Sequence, residues 1–409
     1  MKKTLLAAAL VTGFAGVAHA ETSVTLYGLV DAGVGYQQTK VTQGDAFTKT
    51  RDIGLINGVK NGNRWGLKGT EDLGNGTSAI FQLESGFDLG NGRSSQGGRL
   101  FGRKAIVGLT GDSWGTLTLG RQYNVADDFI SPIDPFGTSF FQAGITDGAF
   151  GSSPSARMDN SIKYMTPDFA GFRAAIGYAG ENNKTTGSDG INDFEDRDTS
   201  NWITAGLAYY NGPISVAASY DRFRTDVRES GVVNGINYET KNKGTTHMWN
   251  LFGAYDFEVV KLHLGYGQIR GSVANDVVAG AGVGSVGLNG ALAEFTEVMN
   301  PNSSAFGQNY TQTNGYRQQS WMAGLTAPVG DDGKAMFSYQ GNTSKNTGEA
   351  FDGVKGKLHI FSLGYVHNLS KRTSLYAIAS YGTGKLKFDN AENVKLKSTL
   401  VGVGMQHRF

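Results

Sequence analysis

Apolar and polar residues alternate along most of this chain after its first twenty residues. A period of two predicts strands that have one apolar face and one polar face. In residues 23–36, for example, Val24, Leu26 and Val34 share one phase, and the other phase is largely polar. The alternation predicts sixteen strands, at about 23–36, 63–73, 77–87, 100–110, 115–122, 158–165, 172–180, 202–210, 214–224, 248–257, 259–270, 320–327, 334–341, 357–368, 373–381 and 397–409.

The connections between these strands alternate in length. Short ones of about 2–6 residues, such as the tight turn predicted at Gly74-Asn75-Gly76, are followed by long ones of about 12–47 residues. A soluble sandwich or propeller has no reason to lengthen every second connection, whereas a membrane barrel has short periplasmic turns and long extracellular loops. Closure also pairs every backbone group inside hydrocarbon. We therefore predict an all-β fold, a 16-stranded antiparallel transmembrane β-barrel.

Aromatic residues fall near the predicted strand ends, in the apolar phase. This is the position of the aromatic girdles at the two membrane interfaces. A soluble core capped by these rings is the alternative, and the loop asymmetry disfavours it. The residues are Tyr36, Phe87, Tyr178, Tyr209, Tyr220, Tyr255, Tyr266, Tyr365 and Tyr381.

The third long connection, residues 123–157, differs from the others. Its 35 residues include three prolines, four aspartates and five phenylalanines, without a strand or helix period. A structureless loop of this length is usually functional or disordered, and five large apolar rings argue against disorder. We expect it to fold back into the barrel as a constriction loop, with its phenylalanines packed on the wall and its aspartates facing the opening.

The N-terminus has the features of a secretory signal peptide. Two lysines precede a short apolar run, and Ala18-His19-Ala20 is a cleavage motif. We predict a signal peptide at 1–20 and a single barrel at 21–409. Cleavage removes Lys2 and Lys3, so 37 − 2 = 35 basic residues face 36 acidic ones. This balance gives no reason to expect nucleic acid as a partner, and the absence of cysteine excludes disulfides and thiolate metal sites.

Several motifs resemble those of general diffusion porins of Gram-negative outer membranes, in the betaproteobacterial trimeric branch. They are VTLYG at 24–28, RWGLKG at 64–69, EDLG at 71–74, IFQLESGF at 80–87, LGRQ at 119–122 and VGMQHRF at 403–409. The resemblance covers the whole mature chain. It implies a homotrimer in the outer membrane, among its lipids and lipopolysaccharide, with the third extracellular loop folded into each lumen. It also implies that terminal Phe409 is read by the barrel assembly machinery.

The polar phase of the strands would carry the selectivity of such a channel. Cations on the wall would face carboxylates on the long loop, and the transverse field would order small hydrophilic solutes and ions. With about five wall cations we expect mild anion preference, which the resembling family shares. Asp31 and Asp147 are further inward or loop carboxylates. The candidate constriction residues are Arg64, Lys68, Glu84, Lys104, Arg121, Asp127, Asp128, Asp134, Lys163 and Arg173.

Two arginines do not fit the alternation. Arg103 and Arg121 fall in the outward phase, where a charged side chain would meet lipid. A bulge that turns them inward and a subunit interface that covers them are both compatible with the sequence. Arg121 is kept among the candidates because it adjoins the long loop.

The alternative functions are an outer-membrane hydrolase, and a substrate-specific channel or adhesin. An outer-membrane hydrolase would need a Ser–His pair held by a third group, and the chain contains no G-x-S-x-G, H-E-x-x-H or P-loop motif. We therefore expect no enzyme activity, catalytic residue, cofactor or metal. The other alternative is a substrate-specific channel or an adhesin that binds through its surface loops, notably 272–316, or through the phenylalanines of the long loop.

Overall fold

The computed structural model describes residues 23–151, 153–188, 193–233, 236–272, 288–296, 309–351, 353–389 and 391–409. Seventeen strand segments account for most of these residues. They are β1 (Ser23–Gln43), β2 (Ala46–Asn57), β3 (Arg64–Gly74), β4 (Thr77–Gly86), β5 (Lys104–Gly111), β6 (Gly115–Tyr123), β7 (Arg157–Met165), β8 (Phe172–Ser188), β9 (Asp193–Asn211), β10 (Ile214–Val233), β11 (Ile236–Asp256), β12 (Lys261–Gly271), β13 (Tyr316–Val329), β14 (Gly333–Asn346), β15 (Lys355–Asn368), β16 (Thr373–Lys387) and β17 (Val394–Arg408).

The helical segments are short. They are α1 (Val125–Ile130), α2 (Asn289–Ala293) and 3-10 turns at Ser131–Ile133, Phe141–Ala143, Glu294–Thr296 and Glu349–Phe351. Within the described ranges, no helix has the length and apolarity needed to cross a membrane.

The seventeen segments form one closed antiparallel barrel with sixteen strand positions around its circumference. One edge of β1 pairs with β17, and its other edge pairs first with β3 and then with β2. Segments β2 and β3 therefore lie end to end and together form one strand of the barrel, which is interrupted between Asn57 and Arg64. Gly28 and Phe409 close the seam with two backbone hydrogen bonds of 3.1 Å each. The prediction of a 16-stranded barrel is confirmed.

The outer face of the barrel carries an apolar belt. Leu207, Leu363 and Val403 are 65%, 61% and 60% exposed, while their neighbours along each strand point inward. Such exposure would be costly in water and matches the lipid-facing phase of a membrane barrel. Of the predicted girdle residues, Phe87 is an exception, because β4 ends at Gly86 and the Phe87 ring lines an inner cavity.

Several segments that the sequence analysis assigned to polar loops are strands. The predicted loop 37–62 contains the hairpin between β1 and β2, and the predicted loops 181–200 and 225–245 largely extend β8, β9, β10 and β11. Strands β10 and β11 pair continuously from Ile214–Tyr255 to Val233–Ile236. Beyond the bilayer both strand faces meet water, so the backbone ladder continues without apolar alternation.

The predicted tight turn between β3 and β4 is present. Asn75 and Gly76 have φ values of 53° and 70°, and two successive positive φ values are typical of a type I′ hairpin turn.

Candidate functional site

The barrel wall is interrupted between β2 and β3, where residues 58–63 leave the ladder. Asp31, fully buried on β1, holds this segment by accepting hydrogen bonds of 3.2 Å from the backbone N–H groups of Lys60 and Asn61. Tyr376 and Gln406 donate to the same carboxylate at 2.8 and 3.1 Å. Asp31 therefore organises the wall, and Lys60 becomes a lining residue that strand alternation does not predict.

The long segment 124–156 packs against the barrel wall through its aromatic side chains. Phe129, Phe136, Phe140 and Phe150 are 1–3% exposed. The ring centroids of Phe150 and Phe252 on β11 are 5.2 Å apart. Those of Phe140 and Tyr376 on β16 are separated by 5.6 Å. These two contacts lie five strands apart around the barrel, so the segment is supported at several points.

Two glycines of the wall allow the close approach. A Cβ atom at Gly324 would lie 2.4 Å from Cγ of Pro135, and one at Gly364 would lie 2.8 Å from the Phe136 ring. Real side chains do not tolerate such distances, so only glycine fits between the wall and this part of the segment.

Polar side chains of the wall satisfy the backbone of the same segment. Gln340 on β14 donates to the carbonyl of Ala143 at 2.6 Å and accepts from the N–H of Ala149 at 3.1 Å. Asn342 and Ser320 both donate to the carbonyl of Ala149 at 2.8 Å. Buried backbone groups need such partners, so these inward polar residues fix the path of the segment.

Asp134 organises the segment internally. Its buried carboxylate accepts from the backbone N–H groups of Thr138, Ile145 and Phe136 at 2.7, 3.2 and 3.3 Å. Burial raises the pKa of Asp134 to about 6, and the three N–H donors act in the opposite direction. Asp134 therefore acts as a hydrogen-bond acceptor that holds the backbone of the segment in place.

A cavity of about 530 Å³ lies between segment 124–156 and the wall segments around β2, β3 and β6. Its lining carries the four cations Lys60, Arg64, Arg103 and Arg157, and the two carboxylates Asp127 and Asp147. Desolvation by the surrounding segment raises the pKa values of both aspartates, although the Asp147 side chain keeps access to solvent in the cavity. The cationic side chains come from the wall and the segment's C-terminal end, whereas both carboxylates come from the segment itself.

Arg103 is the most enclosed of these cations. Its Nε donates to Oε1 of Glu84 at 2.8 Å, and the two side chains are 8% and 10% exposed. Its guanidinium also donates to the hydroxyl of Tyr123 at 3.3 Å, and Arg157 donates to that same hydroxyl. Arg103 and Arg157 thus converge on the Tyr123 hydroxyl, and Arg64 lines the same cavity.

A second segment covers the wall beside segment 124–156. Leu292 of α2 is fully buried near Leu358 of β15, and the N–H of Leu288 donates to the carbonyl of Gly148 at 3.2 Å. Inward positions of β15 to β17 are apolar here, with Leu358, Leu386 and Leu396 at most 1% exposed. The inward phase is therefore not uniformly polar, because α2 shields this part from water.

Comparison with known proteins gives the family. The model of the Gram-negative porin family matches residues 6–387. An outer membrane porin protein of Bordetella pertussis is 43% identical over 420 residues and all of both chains. Outer membrane porin protein 32 of Delftia acidovorans is 29% identical, again over all of both chains. The chain belongs to the Gram-negative porin family.

A solved relative of this porin supports the same conclusion. An anion-selective porin from Comamonas acidovorans has a TM-score of 0.59 and 26% identity, covering 95% of this chain and 100% of that one. Family, relatives and barrel together identify an outer-membrane channel for passive diffusion, and they point away from an enzyme. In the described part of the chain, no cluster of three histidine or acidic side chains is arranged to hold a metal.

The porin structure brings together some of the ten residues that the sequence analysis selected. Arg64 and Asp127 line the cavity, and Glu84 pairs with the lining residue Arg103. Lys163 pairs with Asp128 at 2.6 Å, and the charges of both act on Lys104.

The remaining selected residues lie elsewhere. Lys68 is exposed and sits over the Tyr27 ring, with its Nζ 5.7 Å from the ring centroid. Arg173 pairs with Asp168 at the short-turn end of the barrel, far from the cavity along its strand. Arg121 pairs with Asp159 and donates to the carbonyl of Gly102 at 2.7 Å. Asp134 binds backbone N–H groups.

The two arginines that do not fit the strand alternation, Arg103 and Arg121, point in different directions in the structure. Arg103 precedes β5 and is therefore free of strand alternation, and its side chain turns inward to Glu84. Arg121 stays in the phase of the exposed Leu119, beside a bulge between β6 and β7. Sequence reasoning missed Lys60, Arg103 and Arg157 as lining residues, because none of them lies inside a regular strand interior.

Proposed function

We propose that segment 124–156 is the constriction loop of a mildly anion-selective diffusion channel. The charge of the cavity is the observation that carries this proposal: four cations face two carboxylates along one lining. In a narrow passage with low-dielectric walls, an excess of one sign concentrates the opposite ion. The similarity to the anion-selective porin from Comamonas acidovorans supports the same preference.

The candidate residues take different parts in this proposal. Arg64 and the loop residue Asp127 would form opposite sides of the transverse field, and Lys104, Lys163 and Asp128 would form a second charged group close to it. Glu84 would moderate the charge of Arg103. Lys68 and Arg173 would influence ions only before or after the narrowest part, whereas Arg121 would lie at a subunit interface.

Recording from single channels in a planar bilayer tests the proposal. We expect ohmic conductance and, in a potassium chloride gradient, a reversal potential displaced toward the chloride equilibrium potential. A reversal potential on the potassium side would refute the anion preference. Saturable block by one class of sugar at low concentration would instead favour the substrate-specific channel.

Arg64→Glu should weaken the anion preference. Reversing a charge about 7 Å from a passing ion changes its energy by about 1.2 kcal/mol in water, and salt screening roughly halves this. The same change disfavours an anion and favours a cation, so we expect the anion-to-cation permeability ratio to fall about sevenfold, measured from the reversal potential. Lys371→Glu, the same change at an exposed turn outside the cavity, is the control and should leave the ratio unchanged. Equal shifts in both variants would contradict a local role for Arg64.

We also propose that the porin is a homotrimer. A groove of about 690 Å³ on the outer face is lined by small and apolar residues of β1, β16 and β17, among them Ala32, Ala377 and Gly404. Arg121 and Asp159 form an ion pair in the outward phase, which a neighbouring subunit would shield from lipid. Migration as an SDS-resistant oligomer that dissociates on heating is the expected result.

The export and assembly signals are further proposals. The predicted signal peptide lies outside the described residues, and mass spectrometry of the membrane form should give a chain that begins at residue 21. Phe409 would be read by the barrel assembly machinery before its backbone pairs with Gly28. We propose in addition that the mature barrel contacts lipopolysaccharide and the other outer-membrane lipids.

A further inference from the structure

Five cations form a row across the outer face of the barrel. The backbone register pairs Arg270 with Arg317, Arg317 with Lys345, Lys345 with Lys355, and Lys355 with Lys387. All five residues are exposed. At a strand spacing of roughly 4.8 Å, this basic row extends for about 19 Å along the barrel circumference.

Like charges placed directly opposite one another on neighbouring strands are destabilising. Along this basic row the unfavourable pairing occurs four times in succession. Among the described residues, no carboxylate forms a salt bridge with any of its five members. Within the described ranges the row therefore has no paired counter-charge, and an external anion would relieve its repulsion.

The basic row lies at the level of a membrane interface. In the same outward phase, nearer the middle of the strands, are the rings of Trp321, Tyr339 and Phe361. The Tyr339 and Phe361 centroids are 5.0 Å apart, and Trp321 donates to the Tyr339 hydroxyl at 3.4 Å. Such rings mark headgroup level. The row lies on the long-loop side of these rings, which is the extracellular side in this class of barrel.

A depression gives the basic row a shape as well as a charge. A cavity of about 460 Å³ is lined by Arg270, Arg317, Lys345 and Lys355, and by Lys357 one step closer to the girdle. Gln268, Gln319 and Thr343 contribute hydrogen-bonding groups. Guanidinium and ammonium groups around a polar depression suit phosphate oxygens, which accept several charge-assisted hydrogen bonds at once.

We propose that the basic row is a binding site for the phosphate groups of a multiply phosphorylated glycolipid in the outer leaflet. The inference rests on the lipid contact proposed above, and it assigns that contact to the outer face of β12 to β16. The phosphates lie in the depression, and the acyl chains extend along the apolar belt below the girdle. The bound lipid neutralises the row and seals the barrel into its leaflet.

The test measures binding of fluorescent diphosphoryl lipid A to the full porin in phosphatidylcholine nanodiscs. A basic residue near a membrane surface contributes about fivefold to the affinity for anionic lipid, so removal of two should weaken binding about 30-fold. We expect this loss for the variant Arg317→Ala/Lys345→Ala. The control Lys371→Ala/Arg372→Ala removes the same two residue types at the short-turn end and should bind as the wild type does.

Three outcomes would overturn the proposal: unchanged binding by Arg317→Ala/Lys345→Ala, an equal loss in the control, or full displacement of the lipid by millimolar inorganic phosphate. Dephosphorylated lipid A should bind the wild type as weakly as the variant binds the phosphorylated form. The row faces away from the lumen, so conductance and reversal potential of the variant should match the wild type. If the proposed anion preference is wrong, the wild-type reversal potential will show it, and the lipid-binding measurement will not be affected.

Discussion

Asp134→Ala is expected to release segment 124–156 from its position, so that the current through the open channel is no longer steady. The substitution removes the acceptor of three backbone N–H groups, at Phe136, Thr138 and Ile145. A buried donor left without a partner costs about 1–3 kcal/mol, so the local cost is about 3 kcal/mol or more. The strand ladders do not depend on Asp134, and the barrel itself should stay folded.

The measurement for Asp134→Ala is single-channel recording together with limited proteolysis. We expect frequent transitions between conductance levels, and cleavage within 124–156 that the wild type resists. Asp134→Asn retains one acceptor oxygen and should be intermediate. Asp147→Ala removes the same charge from a side chain that is exposed to the lumen and serves as the control. A steady current from Asp134→Ala would show that the wall contacts alone hold the segment.

Arg103→Ala should markedly lower the thermal stability of the porin. It breaks an ion pair whose partners are 8% and 10% exposed, and it leaves the carboxylate of Glu84 buried without its cation. Removal of one partner of a buried pair costs about 3–5 kcal/mol. The hydroxyl of Tyr27 still donates to Glu84 at 3.1 Å, but a neutral donor does not replace the lost charge.

The melting temperature of the porin, followed by tryptophan fluorescence, measures the effect of Arg103→Ala. The double variant Arg103→Ala/Glu84→Gln removes both charges and should recover most of the lost stability, because the cost lies in the unpaired carboxylate. Losses that simply add in the double variant would contradict this coupling. The single variant should also shift the reversal potential toward cations, since the cavity then has one cation fewer while Glu84 keeps its charge.

The sequence by itself predicts the sixteen strands of the barrel, the turn at Gly74–Gly76 and the position of the long loop. These features follow from a strong local rule: a strand between lipid and water must alternate, and a closed barrel must return by short and long connections in turn. The same rule does not apply beyond the bilayer. The upper parts of β8 to β11 therefore looked like loops, although their backbone ladders continue.

The tertiary structure alone decides which charges meet. Lys60 lies in the interruption between β2 and β3, Arg103 directly precedes β5, and Arg157 is the first residue of β7. Strand periodicity therefore does not orient these side chains. The sequence predicts Asp134 and Asp31 as charges of the channel, whereas in the structure their carboxylates accept hydrogen bonds from backbone N–H groups. Alternation along a strand is a local property of the chain, whereas the partner of a charge depends on contacts between residues far apart in sequence.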